Sequence, residues 1–193
     1  MAFSVTEFKS NLKQGGARPS LFKVDLLYPS GVTTPPTRSE FLVRASSLPA
    51  SNIGTHEVFF HGKSIKVAGD RTFDTWETTI INDEDFAIRN ALEEWKNSIN
   101  QFAGNLRSFG TSAPSEYKST ARVQQFDQLG SVVREYEFVG IFPTEVSTID
   151  LAWETEGIEE YTVTFQYDFW QVSGGTTGNA GGAGSSASFS VNL

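Results

Sequence analysis

The chain contains no cysteine and only two histidines among its 193 residues. Without cysteine, neither disulfide bonds nor thiolate metal sites can form. The two histidines, His56 and His61, are too few for a typical zinc site, although carboxylates alone can still bind a hard cation. We therefore expect no metal and no cofactor.

Long apolar runs and basic clusters are also missing. No stretch approaches the roughly 20 residues of a membrane-spanning helix, and the first residues, MAFSVTEFKSNLKQ, lack the order of segments in a signal peptide, so no membrane anchor is expected. The formal net charge is -8, and the 15 lysines and arginines are scattered. Because nucleic-acid-binding proteins usually present a basic stripe, the chain is not expected to grip DNA, although DNA can slide past an acidic surface.

Patterns typical of strands dominate the rest of the sequence and predict a mainly β, antiparallel sandwich or barrel-like domain. The clearest strand covers residues 161–169, where apolar and polar side chains alternate. The segments EVFF and SIKV flank a turn predicted at Gly62 and Lys63, which indicates a hairpin. Further strands are predicted at residues 21–28, 40–46, 72–81, 119–126 and 131–140.

One flanking α-helix is predicted at about residues 83–103. Asn82 or Asp83 is expected to cap its beginning, and Gly104 to follow its end. Its apolar residues recur at steps of three and four, as one stripe that would pack across the sheet. The stripe consists of Ile88, Leu92, Trp95, Ile99 and Phe102.

The chain divides into three predicted segments. Residues 1–20 form an N-terminal arm, which has helix-like spacing of apolar residues but is equally compatible with an extended conformation. Residues 21–172 form the β domain and include a proline-rich loop at 29–39. Residues 173–193 form a Gly/Ser-rich tail, which we expect to be weakly ordered near an interface.

The stretch VAGDRTFDTW combines carboxylates with an arginine. Asp70 and Asp74 would suit a carbohydrate-acting enzyme with paired carboxylates, but no nucleophile motif accompanies them. The favoured interpretation is a structural corner, in which Gly69 bends the chain, an Asp70–Arg71 pair locks it, and Trp76 anchors the next strand. We therefore expect no enzymatic activity. Whether the Asp70–Arg71 pair forms within one subunit or between two stays open at this point.

Aromatic residues are numerous, and they have no basic residues interleaved for stacking on bases. Packing in the core or at an interface is therefore the better interpretation. The residues concerned are Phe73, Trp76, Trp95, Phe138, Trp153, Phe165 and Trp170.

Three segments together resemble the tail tube proteins of contractile-tailed bacteriophages. They are GARPSLFKVDLLY, KSIKVAGDRTFDTWETTIINDED, and the segment from PSEYKSTARVQQF through VGIFPTEV to the closing QYDFW. The resemblance extends from about Ala17 to Trp170. Several pieces in the same order carry more weight than any one of them alone.

The resemblance implies a β-sandwich-like domain whose strands join those of five other subunits into a ring with a continuous inner β-barrel. Rings would stack into a tube inside a contractile sheath, and DNA would pass through the lumen without specific binding. The implied partners are the tail sheath, baseplate and tail terminator proteins. The implied location is the tail of the virion, assembled in the host cytoplasm. The alternative is the inner tube of a phage-like contractile injection system or a type VI secretion system.

The resemblance also supplies candidate site residues. The structural or interface candidates are Arg18, Pro19, Gly69, Asp70, Arg71, Asp74 and Trp76, and the candidates for the lumen are Glu160 and Asp168. An acidic lumen would repel DNA over about 8–10 Å at physiological salt, so that the genome slides through it.

Overall fold

The computed structural model describes residues 5–12, 16–36, 42–104, 106, 113–154, 156–178 and 180. Strands dominate this part of the chain, which confirms a mainly β protein. The strands are β1 (Phe22–Leu26), β2 (Val43–Ser46), β3 (Ser51–Phe60), β4 (Lys63–Phe73), β5 (Trp76–Ile81), β6 (Ser119–Phe126), β7 (Val132–Val146), β8 (Glu160–Gln166) and β9 (Phe169–Gly174). The helices are α1 (Val5–Asn11), α2 (Ala87–Ile99) and α3 (Pro114–Tyr117).

The strand pairs are all antiparallel, and the long strand β7 joins two halves of one sheet. The strand order is β1-β6-β7-β8-β5-β2, with β9 also paired to β7. Strand β9 pairs with residues 135–139 of β7, and β8 pairs with residues 142–146. We call β1, β6, β9 and residues 132–141 of β7 the first half-sheet. The second half-sheet is β2, β5, β8 and residues 142–146 of β7.

The two half-sheets meet at a corner formed by Gly140 and Asp168. Gly140 has a φ of 72°, and a side chain there would overlap the Asp168 carboxylate. The backbone N–H of Asp168 donates to the Val139 carbonyl (3.0 Å), and Lys118 Nζ lies 2.6 Å from Asp168 Oδ1. Glycine suits this position because a left-handed backbone coincides with the close approach of the Asp168 side chain.

The hydrophobic core lies between the half-sheets and under α2. Trp76 stacks on Phe138 with ring centroids 4.4 Å apart, and Phe165 lies 5.3 Å from Trp76. Helix α2 contributes Leu92 and Trp95, both fully buried. Burial of most of the aromatic residues confirms that they pack in the core, whereas Trp153 is fully exposed.

Helix α2 is shorter than the predicted 83–103. Phe86, at its N-terminal boundary, has a φ of 52°, which a continuing helix does not allow. The acidic residues form turns instead: the Asp83 carboxylate accepts from the Glu84 N–H (2.9 Å), and the Asp85 carboxylate accepts from the Ala87 N–H (3.0 Å). Asn100 is extended with a φ of -150°, so the exposed Phe102 lies outside the helix.

Three other predicted boundaries change. The strand predicted at 161–169 ends at Gln166, and Phe169 already belongs to β9, beyond the corner at Asp168. The strand predicted at 72–81 is interrupted at Asp74 and Thr75, where β4 ends and β5 has not yet begun. The hairpin turn consists of His61 and Gly62, with φ of 46° and 79°, rather than Gly62 and Lys63. Two consecutive positive φ values are those of a type I′ turn, which matches the twist of the flanking strands. The ends of the loop at 29–39 and of the tail, and the start of the strand at 40–46, lie outside the described residues.

Candidate assembly surfaces

The hairpin of β3 and β4 is a separate two-stranded sheet that extends from the body of the protein. Every β3 residue after Ser51 is exposed to solvent. Val58 pairs with Ile65, and Phe60 pairs with Lys63 beside the turn. Because paired residues share one face of a hairpin, these four side chains lie together. Phe60 is 66% exposed. We call Val58, Phe60, Lys63 and Ile65 the hairpin tip.

The opposite face of the hairpin is more polar. Lys66 Nζ lies 3.7 Å from Glu57 Oε1, across the strand pair. No ion pair involving Lys63 or Arg71 is present among the residues that the structure describes. The hairpin therefore presents unneutralised positive charge beside apolar side chains.

The predicted corner at Gly69, Asp70 and Arg71 is wrong. All three residues lie within the continuous strand β4, with Gly69 beside a register shift opposite residues 53–55. Gly69 and Asp70 together lie opposite Gly54, as in a β-bulge. A side chain at Gly69 would lie 2.9 Å from the His56 ring, so this glycine makes room for a cross-strand neighbour within a strand and does not form a turn. Asp70 and Arg71 are exposed and do not pair with each other within the described chain. An interface role for both residues stays a prediction.

Asp74 and Trp76 lie where the hairpin joins the core. The Tyr167 hydroxyl donates to the Asp74 backbone carbonyl (2.5 Å), and Trp76 Nε1 donates to Ser46 Oγ (3.0 Å). Burial, followed by the nearby Asp74 carboxylate, raises the pKa of Tyr167 to about 12. Trp76 is fully buried, as expected of an anchor.

Arg18 and Pro19 precede β1 and are both exposed. Arg18 borders an open cavity of about 680 Å³ beside the β6–β7 turn, lined also by Leu21, Phe126 and Val133. Within the described part of the chain, no group of His, Asp and Glu residues is arranged to hold a metal ion. No helix in that part is long and apolar enough to span a membrane.

The two lumen candidates lie in different places. Glu160 lies on the outer, polar face of the second half-sheet, in an ion pair with Arg44. Glu77 lies on the same face, since it pairs with Thr164, which is four positions along β8 from Glu160. Asp168 lies at the corner with Lys118. Which of these residues line a lumen stays a prediction.

A polar network covers the outer face of the first half-sheet, and sequence reasoning did not identify it. Gln124 Nε2 and Ser173 Oγ donate to the Glu135 carboxylate (2.6 and 2.8 Å), and Arg122 donates to Glu137 (3.4 Å). The hydrogen bond from Gln124, ahead of the smaller effects of Ser173 and Arg122, lowers the pKa of Glu135. The alternation in the segment REYEF could have predicted this network, because every second residue of a strand lies on the same face and Glu135 and Glu137 are two positions apart.

The loop between β7 and β8, residues 147–159, was also missed. Leu151, Trp153 and Ile158 are among the most exposed large apolar side chains in the described chain, at 85%, 107% and 74%. We call this segment the acidic loop, because it also contains Asp150 and three glutamates. The sequence feature that could have indicated this loop is the presence of large apolar residues in a segment without the alternation of a strand.

The second half-sheet has open edges on both sides. In the described chain, β2 pairs only with β5, and residues 142–146 of β7 pair only with β8. Open strand edges and exposed apolar side chains are features that favour association with other chains.

Comparison with known proteins identifies the family to which the chain belongs. A family model described as "Phage tail tube protein" matches residues 17–173. The tail tube protein gp19 of Enterobacteria phage T4 is 36% identical over 157 residues, covering 80% of this chain and 91% of that protein. The tail tube protein of Serratia phage KSP90 is 24% identical over 163 residues, covering 82% and 89%. The chain belongs to the phage tail tube protein family.

Solved structures support the same fold. A chain in the tube-terminating cap of the anti-feeding prophage has a TM-score of 0.59 and 17% identity, covering 81% of this chain and 89% of that chain. A chain in the sheath–tube complex of an extracellular contractile injection system has a TM-score of 0.55 and 14% identity, covering 89% and 99%. The resemblance found in the sequence, and the fold class that it implied, are therefore confirmed.

Proposed function

We propose that the chain forms six-membered rings, that the rings stack into a tube inside a contractile sheath, and that the tube conducts DNA into the host. The observation that carries this proposal is the pair of open edges of the second half-sheet, β2 and residues 142–146. Unpaired edges favour association, and a closed ring of second half-sheets would pair both of these edges at once.

The second half-sheet is the part best suited to the wall of a lumen. Its outer face is polar, with Glu77, Glu145 and Glu160 against the one arginine Arg44. An excess of carboxylates repels a DNA backbone over about a Debye length, roughly 8 Å at physiological ionic strength. DNA would therefore pass without being held. Asp168, at the corner of the same sheet, is a second candidate for this acidic surface.

Partners and the absence of catalysis follow from the same assembly. The outside of the tube would contact a sheath protein, and its ends would contact baseplate and tail terminator proteins. Assembly would take place in the host cytoplasm. The exposed Asp70 and Asp74 would serve the assembly and not a reaction, and the tube would need no metal or cofactor.

The inner tube of a phage-like injection system is the second candidate, favoured by the fold shared with the chains of such systems. Neighbouring genes separate the two: capsid and portal genes indicate a phage, and their absence together with toxin genes indicates an injection system.

Negative-stain electron microscopy of the purified full chain tests the proposal. Six-fold rings with a central hole, alone or stacked, are the expected result. Rings of another symmetry would contradict the hexamer, and a chain that stays monomeric in the presence of a baseplate nucleus would contradict the tube.

A further inference from the structure

The hairpin leaves the body of the protein at one end of the second half-sheet, and the acidic loop lies at the other end. Strand β4 ends at Phe73, close to Trp76, which pairs with Phe165 at one end of the ladder between β5 and β8. At the other end Ile81 pairs with Glu160, the first residue after the acidic loop. The ladder of six residue pairs makes five steps between these ends, which is about 17 Å at roughly 3.3 Å per residue.

The acidic loop has the character of a binding surface. Leu151, Trp153 and Ile158 expose almost their entire side chains within a segment of 13 residues. Isolated exposed apolar residues are ordinary, but a cluster that includes tryptophan marks an interface, because tryptophan contributes strongly to binding once it is desolvated.

The charges of the two surfaces are opposite. The acidic loop contains Asp150, Glu154, Glu156 and Glu159, and no Lys, Arg or His follows Arg134 anywhere in the sequence. The hairpin contains three basic residues, Lys63, Lys66 and Arg71, against two acidic residues. Lys63 lies on the apolar face opposite Phe60.

We propose that the hairpin tip of one subunit docks on the acidic loop of a subunit in the next ring. This inference rests on the proposed stacked tube and identifies the residues that join its rings. Phe60, Val58 and Ile65 would cover Trp153, Leu151 and Ile158, and Lys63 would meet the loop carboxylates. Because the two surfaces differ, and the hairpin leaves the second half-sheet at the end away from the acidic loop, the contact repeats in one direction and gives an open, polar stack.

Pairing of like surfaces fits less well. Two acidic loops would place carboxylates against carboxylates, which opposes association. Two hairpin tips would bring Lys63 against Lys63 and would join rings head to head, which ends a stack after one step. Charge complementarity therefore favours the contact between the hairpin tip and the acidic loop.

Cysteine cross-linking tests the contact cleanly, since the natural chain has no cysteine. Ser64→Cys lies beside the hairpin tip, and Ala152→Cys lies between Leu151 and Trp153, so both keep the proposed apolar contacts. Ser131→Cys, in the exposed β6–β7 turn, is the matched control. Each variant is purified, mixed with one other variant under assembly conditions, and treated with a flexible bis-maleimide.

The expected result is covalent dimers from Ser64→Cys mixed with Ala152→Cys, at least tenfold above Ser64→Cys mixed with Ser131→Cys. A chain carrying both Ser64→Cys and Ala152→Cys should give a ladder of multimers. Tubes that form without this cross-link would overturn the contact while leaving the tube proposal intact, as would preferential linking of Ser64→Cys to itself or to Ser131→Cys. Absence of tubes from the natural chain would reject both.

Discussion

The core and the hairpin are built from the same kinds of residues but have opposite environments. Around Trp76, aromatic and β-branched side chains are fully buried, whereas Val58, Phe60 and Ile65 in the hairpin are more than half exposed. Burial of an apolar side chain contributes about 1.5–3 kcal/mol to folding, and the hairpin residues do not receive that contribution within one chain. The core therefore folds the subunit, while the apolar side chains of the hairpin are left for the proposed assembly to cover.

Removal of a core aromatic side chain should have the largest effect on folding. Trp76→Ala leaves a cavity against Phe138 and Phe165, and we expect a loss of about 3–5 kcal/mol in the free energy of unfolding. The matched control is Trp153→Ala, which removes an exposed side chain and should change that free energy by less than about 0.5 kcal/mol. Urea unfolding followed by circular dichroism measures the free energy of unfolding of both variants. Equal losses would contradict the distinction between a core that folds the subunit and surfaces that do not.

The corner between the half-sheets should be nearly as sensitive. Gly140→Ala combines a left-handed backbone with overlap of the Asp168 carboxylate, so we expect a loss of about 2–4 kcal/mol. The control is Gly130→Ala. Gly130 has a φ of 85° but open space around it, so the variant should lose only about 1–2 kcal/mol in the free energy of unfolding. The difference between the losses in the two variants measures the cost of the overlap with Asp168. Equal losses would show that the corner adjusts to a side chain at position 140 without cost.

The polar network on the first half-sheet should have a smaller, pH-dependent effect. Hydrogen bonds lower the pKa of Glu135 in the folded chain below its ordinary value of 4.5, so the carboxylate stabilises the fold above that pH. The stabilisation is lost as the pH falls through the folded-state pKa. Because Glu135 is partly exposed, we expect less than about 1 kcal/mol. Glu135→Gln should flatten the dependence of unfolding free energy on pH below 4.5, and an unchanged slope relative to the natural chain would refute the assignment.

Sequence periodicity was sufficient for much of the core and insufficient for the surfaces. The alternation at residues 161–169 places Tyr161, Val163 and Phe165 on one buried face, as the structure has them. The same reasoning could not separate the hairpin from the core, because alternation predicts a strand and not what covers it. It also placed a corner between two elements at Gly69, since glycine occurs at turns, in β-bulges and where a neighbouring side chain, here His56, needs room.

Candidate site residues were predicted less well than the fold. Asp70 and Arg71 are adjacent in sequence, and adjacent residues on a strand point to opposite faces, so an ion pair between them is disfavoured. The acidic loop follows no periodic pattern, and its exposed Trp153 was predicted only as a core or interface residue. A core residue can be distinguished from an interface residue only when the three-dimensional surroundings of its side chain are known.

One measurement tests the separation of folding from assembly most directly: sedimentation velocity of Phe60→Ala under conditions in which the natural chain forms tubes. Phe60 is exposed, so its removal should change the free energy of unfolding by less than about 0.5 kcal/mol. We predict a folded protein that sediments as single subunits or unstacked rings. Tubes as long and as numerous as those of the natural chain would contradict the account, as would a variant that fails to fold.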